Sequence, residues 1–277
     1  VSSPLTAQTV LFVPGSTPRR FATALASGAD QVIIDLEDAV APDDRAAARE
    51  SILAFALGSA ACAARRFLVR INPATSADRE PDLTLLAQLR DQAPSALTGV
   101  AVPKAESAAD LEDVSRAAGG TPVLALVETV AGLHAADDLL TAAAGVRLGF
   151  GALDFALDVG GDAPALLDAA RIRLVLASRL AGAAPPLESP SPEVRDLDAV
   201  DAAARHAASL GCGGMLAIHP GQLPVITHAF APTTEEIAWA REVAAAGDGA
   251  SQVDGRMVDA PVLARARRIL TRSQETA

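Results

Sequence analysis

Tyrosine is absent from this sequence of 277 residues, tryptophan occurs once (Trp239), and aromatics make up only 3%. The core must therefore be built from Ala, Val, Leu and Ile, and an alanine-rich chain favours helices. Cysteine occurs twice, at Cys62 and Cys212. Two isolated thiols make neither a disulfide framework nor a zinc motif, which fits a reducing compartment. Basic residues are in deficit, with 23 Lys and Arg against 34 Asp and Glu and a net charge of −11. That balance argues against a nucleic-acid partner, whose phosphates need a basic surface. It gives no attraction to an anionic membrane, yet an anionic small molecule can still bind where a few arginines gather. No apolar run is long enough to span a bilayer. The opening VSSPLTAQTV has neither the charged start nor the apolar core of a secretion signal. A cytoplasmic protein with no membrane partner is expected.

What is present is a hydrophobic content of 50% and a mean hydropathy of +0.28, the composition of a globular chain. Apolar strand-like runs recur at Val10–Pro14, Gln31–Leu36, Phe67–Ile71, Gly99–Val102, Val123–Val127, Val146–Phe150 and Gly214–Ile218. Alanine-rich helical stretches separate them, among them Asp43–Leu57, Asp82–Gln92, Ala108–Ala118, Leu133–Ala144 and Ala163–Ala181. Continuous apolar strands alternating with helices predict a parallel sheet buried on both faces. Seven strands fit an open doubly wound sheet; an eighth within the proline-rich Ala184–Val194 would close a (β/α)8 barrel, the preferred reading. Residues 1–230 are taken as the barrel that carries the active site. Residues 231–277 form a C-terminal helical extension, with a helix near Thr233–Ala246 and another capped by Asp259 with Pro261 in its first turn.

Acidic residues end two of the strand-like runs, Glu128 after VLALV and Asp154 after VRLGFGAL. Barrels place active sites at the C-terminal ends of their strands, and two carboxylates there suit Mg2+, which completes its shell with waters and substrate. The competing reading is helix capping, for which Asp154 is apt and Glu128 a poorer choice than Thr129. Asp35, Glu37 and Asp38 crowd the end of the second run and require a positive neighbour. Arg70, inside FLVRINP, is a charge within a buried strand; it either grips a substrate carboxylate or pairs with these acids. Lys104 follows the fourth run and is expected to stay charged and ion-paired rather than act as a Schiff-base nucleophile. Arg19 and Arg20 open a helix against its dipole, so they either contact a phosphate or are simply solvated. The histidines at 134, 206, 219 and 228 lack zincin spacing, although His219 ends a strand and could reach the mouth. GFGALD lacks the third glycine of a dinucleotide fingerprint, and neither a P-loop nor a Gly-x-Ser-x-Gly elbow is present.

Eight segments taken in order, LFVPGSTPRRF, IIDLEDAV, VRINP, VPKAES, LALVET, GFGALDF, IHPGQ and DGRMVDAPVLARA, resemble the citrate lyase β-subunit-like family. That family stands with malyl-CoA and citramalyl-CoA lyases in the HpcH/HpaI aldolase group, and the likeness spans nearly the whole chain. It implies a (β/α)8 barrel with a C-terminal helical extension, assembled as a homotrimer or hexamer. It implies Mg2+ held by Glu128 and Asp154, with Arg70 on the substrate. Asp259 is implied as a catalytic acid/base given to a neighbouring subunit's site. Arg19 or Arg20 would contact the phosphates of coenzyme A, and Glu37, Asp38 and Lys104 would surround the substrate. The implied reaction is Mg2+-dependent carbon–carbon cleavage of a 3-hydroxyacyl-CoA thioester into an acyl thioester and a 2-oxo acid. Alternatives are a citrate lyase β-subunit acting on a citryl group carried by an acyl-carrier protein, a malyl-CoA thioesterase, and a non-catalytic metabolite-binding barrel. The chain departs from the pattern at the proline-rich SPSPEV and at Leu153, where many relatives carry a polar residue.

Overall fold

The structure, a computed structural model, describes residues 3–58, 66–245, 251–253 and 256–275; Cys62 lies outside them. The chain divides into two compact units, Val1–Ile226 and Thr227–Ala277.

The first unit alternates strands and helices. It begins with β1 (Thr9–Pro14), α1 (Phe21–Leu25), β2 (Gln31–Asp35), α2 (Arg45–Leu57), β3 (Phe67–Arg70), α3 (Arg79–Gln92), β4 (Leu97–Val102) and α4 (Ala108–Ala117). It continues through β5 (Val123–Val127), α5 (Val130–His134), α6 (Ala136–Thr141), β6 (Val146–Phe150), α7 (Ala152–Val159), α8 (Pro164–Leu180), β7 (Leu187–Glu188), α9 (Leu197–Leu210) and β8 (Gly214–Ala217). All eight strands pair in parallel and in order, and β1 closes on β8 through Thr9↔Met215 and Val10↔Leu216. This is a (β/α)8 barrel. The proline-rich stretch supplies the missing strand. It is only two residues long and meets β6 at one pair, Gly149↔Leu187, because proline cannot donate to a central ladder.

Side chains alternate across a strand, and one set fills the lumen. Val10, Ile33, Leu68, Ala101, Leu124, Leu126, Leu187 and Leu216 form one buried cluster, with Phe12 packed against it. Two residues beyond these positions the same inward stripe turns polar at Asp35, Arg70, Glu128 and Ser189, all of which line one cavity. The alternation that builds the core therefore also delivers the site. On β6 the inward positions are Arg147 and Gly149, and Gly151, just past the strand, continues the stripe. A Cβ at Gly149 would lie 2.8 Å from Leu126 Cδ2, and one at Gly151 would lie 2.4 Å from Glu128 Cγ. Glycine at both positions leaves the lumen to the side chains of β5. Arg147 lies at the other end of the barrel. It is buried and donates to the carbonyls of Ala7 (2.7 Å), Pro4 (3.1 Å) and Pro185 (2.8 Å).

After α10 (Leu223–Phe230), the second unit contains α11 (Thr234–Ala245), an antiparallel pair β9 (Ser251–Val253) and β10 (Arg256–Val258), and α12 (Ala260–Glu275). Ala240, Val243, Val258, Leu263, Ala266 and Ile269 form its core, and Arg265 stacks on Trp239 at 5.0 Å. Asp259 is exposed and caps α12, its Oδ1 accepting from Val262 N–H at 3.1 Å. The β9–β10 pair is absent from the sequence reading. Among the described residues no helix is long and apolar enough to cross a membrane.

Candidate active site

The mouth of the barrel holds a cavity of about 350 Å3 between the ends of β1, β2, β3, β5, β6, β7 and β8 and the start of α7. Arg70, the last residue of β3, lies on one wall. Its Nε and Nη2 donate to the two oxygens of Asp35 at 2.6 and 2.7 Å, and its Nη1 approaches Glu37 at 2.7 Å and Asp38 at 3.7 Å. The guanidinium also lies over the Phe12 ring at 4.8 Å. Burial opposes its charge, but hydrogen bonds to Asp35 and the charges of Asp35, Glu37 and Asp38 outweigh it and raise its pKa. The internal salt bridge anticipated from sequence is thus present. A guanidinium has five N–H groups, so donors remain for a ligand in the cavity.

Glu128 follows β5 directly and is buried. Its Oε2 accepts the Lys104 backbone N–H at 2.8 Å. Lys104 has a left-handed backbone, φ 46°, a conformation that a non-glycine residue adopts rarely. Its amide is turned onto Glu128, and its Nζ lies 3.7 Å from that same oxygen. The same ammonium sits 3.1 Å from Glu37 Oε1 and 3.7 Å from Asp154 Oδ1. Burial opposes the lysine's charge, yet Glu37, Glu128 and Asp154 together raise its pKa. Burial, then the charge of Glu37, push the Glu128 carboxyl up to about 7, against the pull of Lys104. Burial likewise raises Glu37, against Arg70 and Lys104.

Asp154 stands in the first turn of α7, four residues past the end of β6, rather than at a strand terminus. Its capping alternative does not hold: the N-cap is Gly151, and no side-chain cap bond forms. Thr129, the better cap chosen from sequence, does cap α5, accepting from Gly132 N–H at 3.0 Å. Asp38 borders the cavity and is open to solvent, whereas Glu37 is buried behind Arg70. Arg19 and Arg20 are exposed in a short 3-10 turn after β1, and neither side chain has a hydrogen bond or ion pair to another described residue. His219 does not reach the cavity; its Nδ1 accepts from Gly221 N–H at 3.0 Å in a local cap. His206 pairs with Asp168.

Five acids, Asp35, Glu37, Asp38, Glu128 and Asp154, therefore face two cations, Arg70 and Lys104. Among the described residues no three His, Cys, Asp or Glu side chains converge as a metal cage. The donor set fits a hard divalent ion that takes two carboxylates and fills its shell with water and substrate oxygens. Three contributors went unseen in the sequence. Gly151 makes room for Glu128, Ser189 lines the mouth, and buried Gln222 ties the loops after β7 and β8 together. Counting two residues on from Leu187 would have found Ser189.

The fold and site are thus a barrel whose mouth sets an excess of acids around the buried Arg70. The chain belongs to the HpcH/HpaI aldolase/citrate lyase family, whose model matches residues 8–220. It is an enzyme of the lyase class. A citrate lyase subunit beta-like protein of Mycobacterium tuberculosis is 37% identical, over 96% of this chain and 95% of that one. The L-malyl-CoA/beta-methylmalyl-CoA lyase of Cereibacter sphaeroides is 30% identical over 95% and 93%. Among solved structures, protein CitE of M. tuberculosis in complex with magnesium, acetoacetate and coenzyme A superposes with a TM-score of 0.84. It is 35% identical, with 97% of this chain and 98% of that chain covered.

Proposed function

We propose that this chain is a Mg2+-dependent carbon–carbon lyase. It cleaves a 3-hydroxyacyl-CoA thioester such as malyl-CoA, citramalyl-CoA or a citryl thioester into an acyl thioester and a 2-oxo acid. The observation that carries the reading is the convergence of Glu128 and Asp154 on one ammonium, opposite Arg70, in a mouth with an excess of acids. The magnesium and coenzyme A in the CitE complex and the activity in the name of the C. sphaeroides relative support it.

Glu128 and Asp154 would hold the ion. When bound, it would supply Lewis-acid stabilisation of charge on the oxo-acid oxygens, an effect worth several kcal/mol. Arg70 would use its remaining N–H groups to orient the substrate carboxylate or carbonyl and to stabilise the oxygen on which charge develops. Its salt bridge to Asp35 fixes the plane of the guanidinium for that task. Lys104 would hold Glu37 and Glu128 in place and oppose their protonation. Glu37 and Asp38 would shape the substrate end of the cavity. As the carbon–carbon bond breaks, the substrate's 3-hydroxyl becomes the oxo group and gives its proton to water, and the thioester's α-carbon takes one up; Asp259, given by the C-terminal extension of a neighbouring copy, is the proposed donor to that carbon. That role requires an oligomer, proposed to be a homotrimer or hexamer of a cytoplasmic enzyme. Arg19 and Arg20, exposed and with no side-chain partner among the described residues, would meet the phosphates of coenzyme A.

The test is a product assay with malyl-CoA, citramalyl-CoA and citryl-CoA, with and without Mg2+. Acyl-CoA and a 2-oxo acid are the expected products; free malate would mark a thioesterase instead, and turnover only on a carrier-bound citryl group a citrate lyase subunit. Glu128→Gln and Asp154→Asn should each abolish Mg2+-dependent turnover in a folded chain, and Asp259→Asn should slow turnover without changing the Mg2+ requirement. Wild-type rates in both carboxylate variants refute the metal assignment.

A further inference from the structure

Helix α7 carries Asp154 yet cannot cap itself. Its N-cap is Gly151, which has no side chain to offer, and a side chain is barred there because a Cβ would run into Glu128. The first-turn amide finds its acceptor on another strand. Ala152 N–H donates to Ser189 Oγ at 3.1 Å. Ser189 is buried, follows directly on β7, and lines the cavity with Glu128 and Asp154.

The segment that presents Ser189 is fixed on both sides. On one side Glu188 takes two hydrogen bonds from Arg171, at 2.7 and 3.0 Å. On the other, Pro190 and Pro192 restrict the chain. Buried Gln222 donates to the carbonyls of Ser191 and Glu193 at 3.0 and 2.9 Å. The same Gln222 accepts the amides of Ile218 and His219 through its Oε1, so the loop after β7 is tied to the loop after β8. The proline-rich stretch that gave the poorest strand thus gives a rigid mount for one hydroxyl.

We propose that Ser189 is a positioning residue for Asp154: capping α7 from the neighbouring strand, it fixes Asp154 relative to Glu128 and so sets the mouth's affinity for its divalent cation. The inference rests on the metal reading above. Only the acceptor oxygen is needed, so threonine can replace serine and alanine cannot. Without the oxygen, the Ala152 amide turns to water and the first turn of α7, Asp154 included, is released.

The experiment titrates the full chain with Mn2+, read by electron paramagnetic resonance, and with Mg2+, read by calorimetry. Wild type, Ser189→Ala, Ser189→Thr and Glu128→Gln are compared, with folding checked by circular dichroism. Wild type should bind at a saturable site that Glu128→Gln removes. Ser189→Ala should bind about tenfold more weakly and Ser189→Thr within about twofold of wild type, the scale on which residues behind a ligand tune a metal site. Wild-type affinity in Ser189→Ala, with binding lost in Glu128→Gln, overturns the role of Ser189 alone. Equal loss in the threonine and alanine variants overturns it too. Undiminished binding in Glu128→Gln overturns the metal reading instead. Should Ser189→Ala not fold, Ser189→Cys replaces it, since sulfur is a weak acceptor; wild-type affinity there also overturns the proposal.

Discussion

Gly151→Ala adds, net, one carbon and two hydrogens, and the structure says where that carbon goes. It would sit 2.4 Å from Glu128 Cγ, 2.8 Å from Oε1 and 3.0 Å from Cδ. Carbon atoms pack at about 3.5 Å or more, so one partner must withdraw by about 1 Å. Backbone strain does not enter, because Gly151 has φ −110° and ψ 85°, on the side of φ open to L-residues. Glu128 must therefore move, breaking its bond from the Lys104 amide. Mg2+ tolerates little of this, since it requires oxygens at about 2.0–2.1 Å in near-octahedral array. A misplacement of about 1 Å at a reacting centre can cost on the order of 100-fold in rate, while crowding a packed site costs about 1–3 kcal/mol of stability. The assay is Mg2+-dependent thioester cleavage across a Mg2+ titration, alongside thermal melting. We expect a loss in turnover of roughly 100-fold with a weakened Mg2+ requirement constant, in a chain that still folds. Gly149→Ala is the control. Its Cβ meets Leu126 Cδ2 at 2.8 Å and not a carboxylate, so it should cost stability with far less effect on Mg2+ dependence. If Gly151→Ala keeps the wild-type rate and Mg2+ constant, Glu128 does not hold the ion from its present position, and the reasoning fails.

Two further predictions concern the frame. Arg147→Met leaves the carbonyls of Pro4, Ala7 and Pro185 without their donor. Only Ala7 is buried; Pro4 is half-buried and Pro185 exposed, so water can replace the donor there. The loss should be about 1–3 kcal/mol, the cost of one buried orphan; denaturant unfolding checks this, and an unchanged midpoint would show that Arg147 is dispensable to the fold. Burial, then the charge of Glu188, push the Cys212 thiol up to about 12, so the folded state holds its proton more tightly than an unfolded thiol near 8.5. The associated stability is complete below about pH 8.5 and is lost as pH rises toward 12. Cys212→Ala should flatten that alkaline decline, and a decline of the same steepness in the variant would assign it to other groups.

The sequence was most legible where the physics is local. Buried parallel strands are continuous apolar runs, and seven could be marked from hydropathy alone. Asp259 with Pro261 announced a helix start, and Asp259 does cap α12. β7 was legible only as a place where a strand ought to be, because its two residues carry no periodicity. The β9–β10 pair was missed because strands of three residues are too short to show alternation. In the mouth, the acids and Arg70 were visible because charge is conspicuous in an apolar run. What remained hidden was how they partition one another: three of the arginine's nitrogens are engaged by Asp35 and Glu37, across strand ends that sequence spacing does not relate.

The least legible residues are those whose work is to leave or fill space between strands. Gly149 and Gly151 looked like a truncated nucleotide fingerprint. Their meaning appears only when β6 is laid against β5 in register, Leu126 against Gly149 and Val127 against Phe150. Leu126 and Glu128 then occupy the lumen that side chains from β6 would otherwise take. The bare position that admits Glu128 also leaves α7 uncapped, and the acceptor then comes from β7, the strand that hydropathy could not locate. Glu128 and Asp154 are thereby linked through backbone and glycine as well as through Lys104. A substitution at any one of Gly151, Ser189 or Lys104 should disturb the same geometry, and pairs among them should be non-additive in double-mutant cycles.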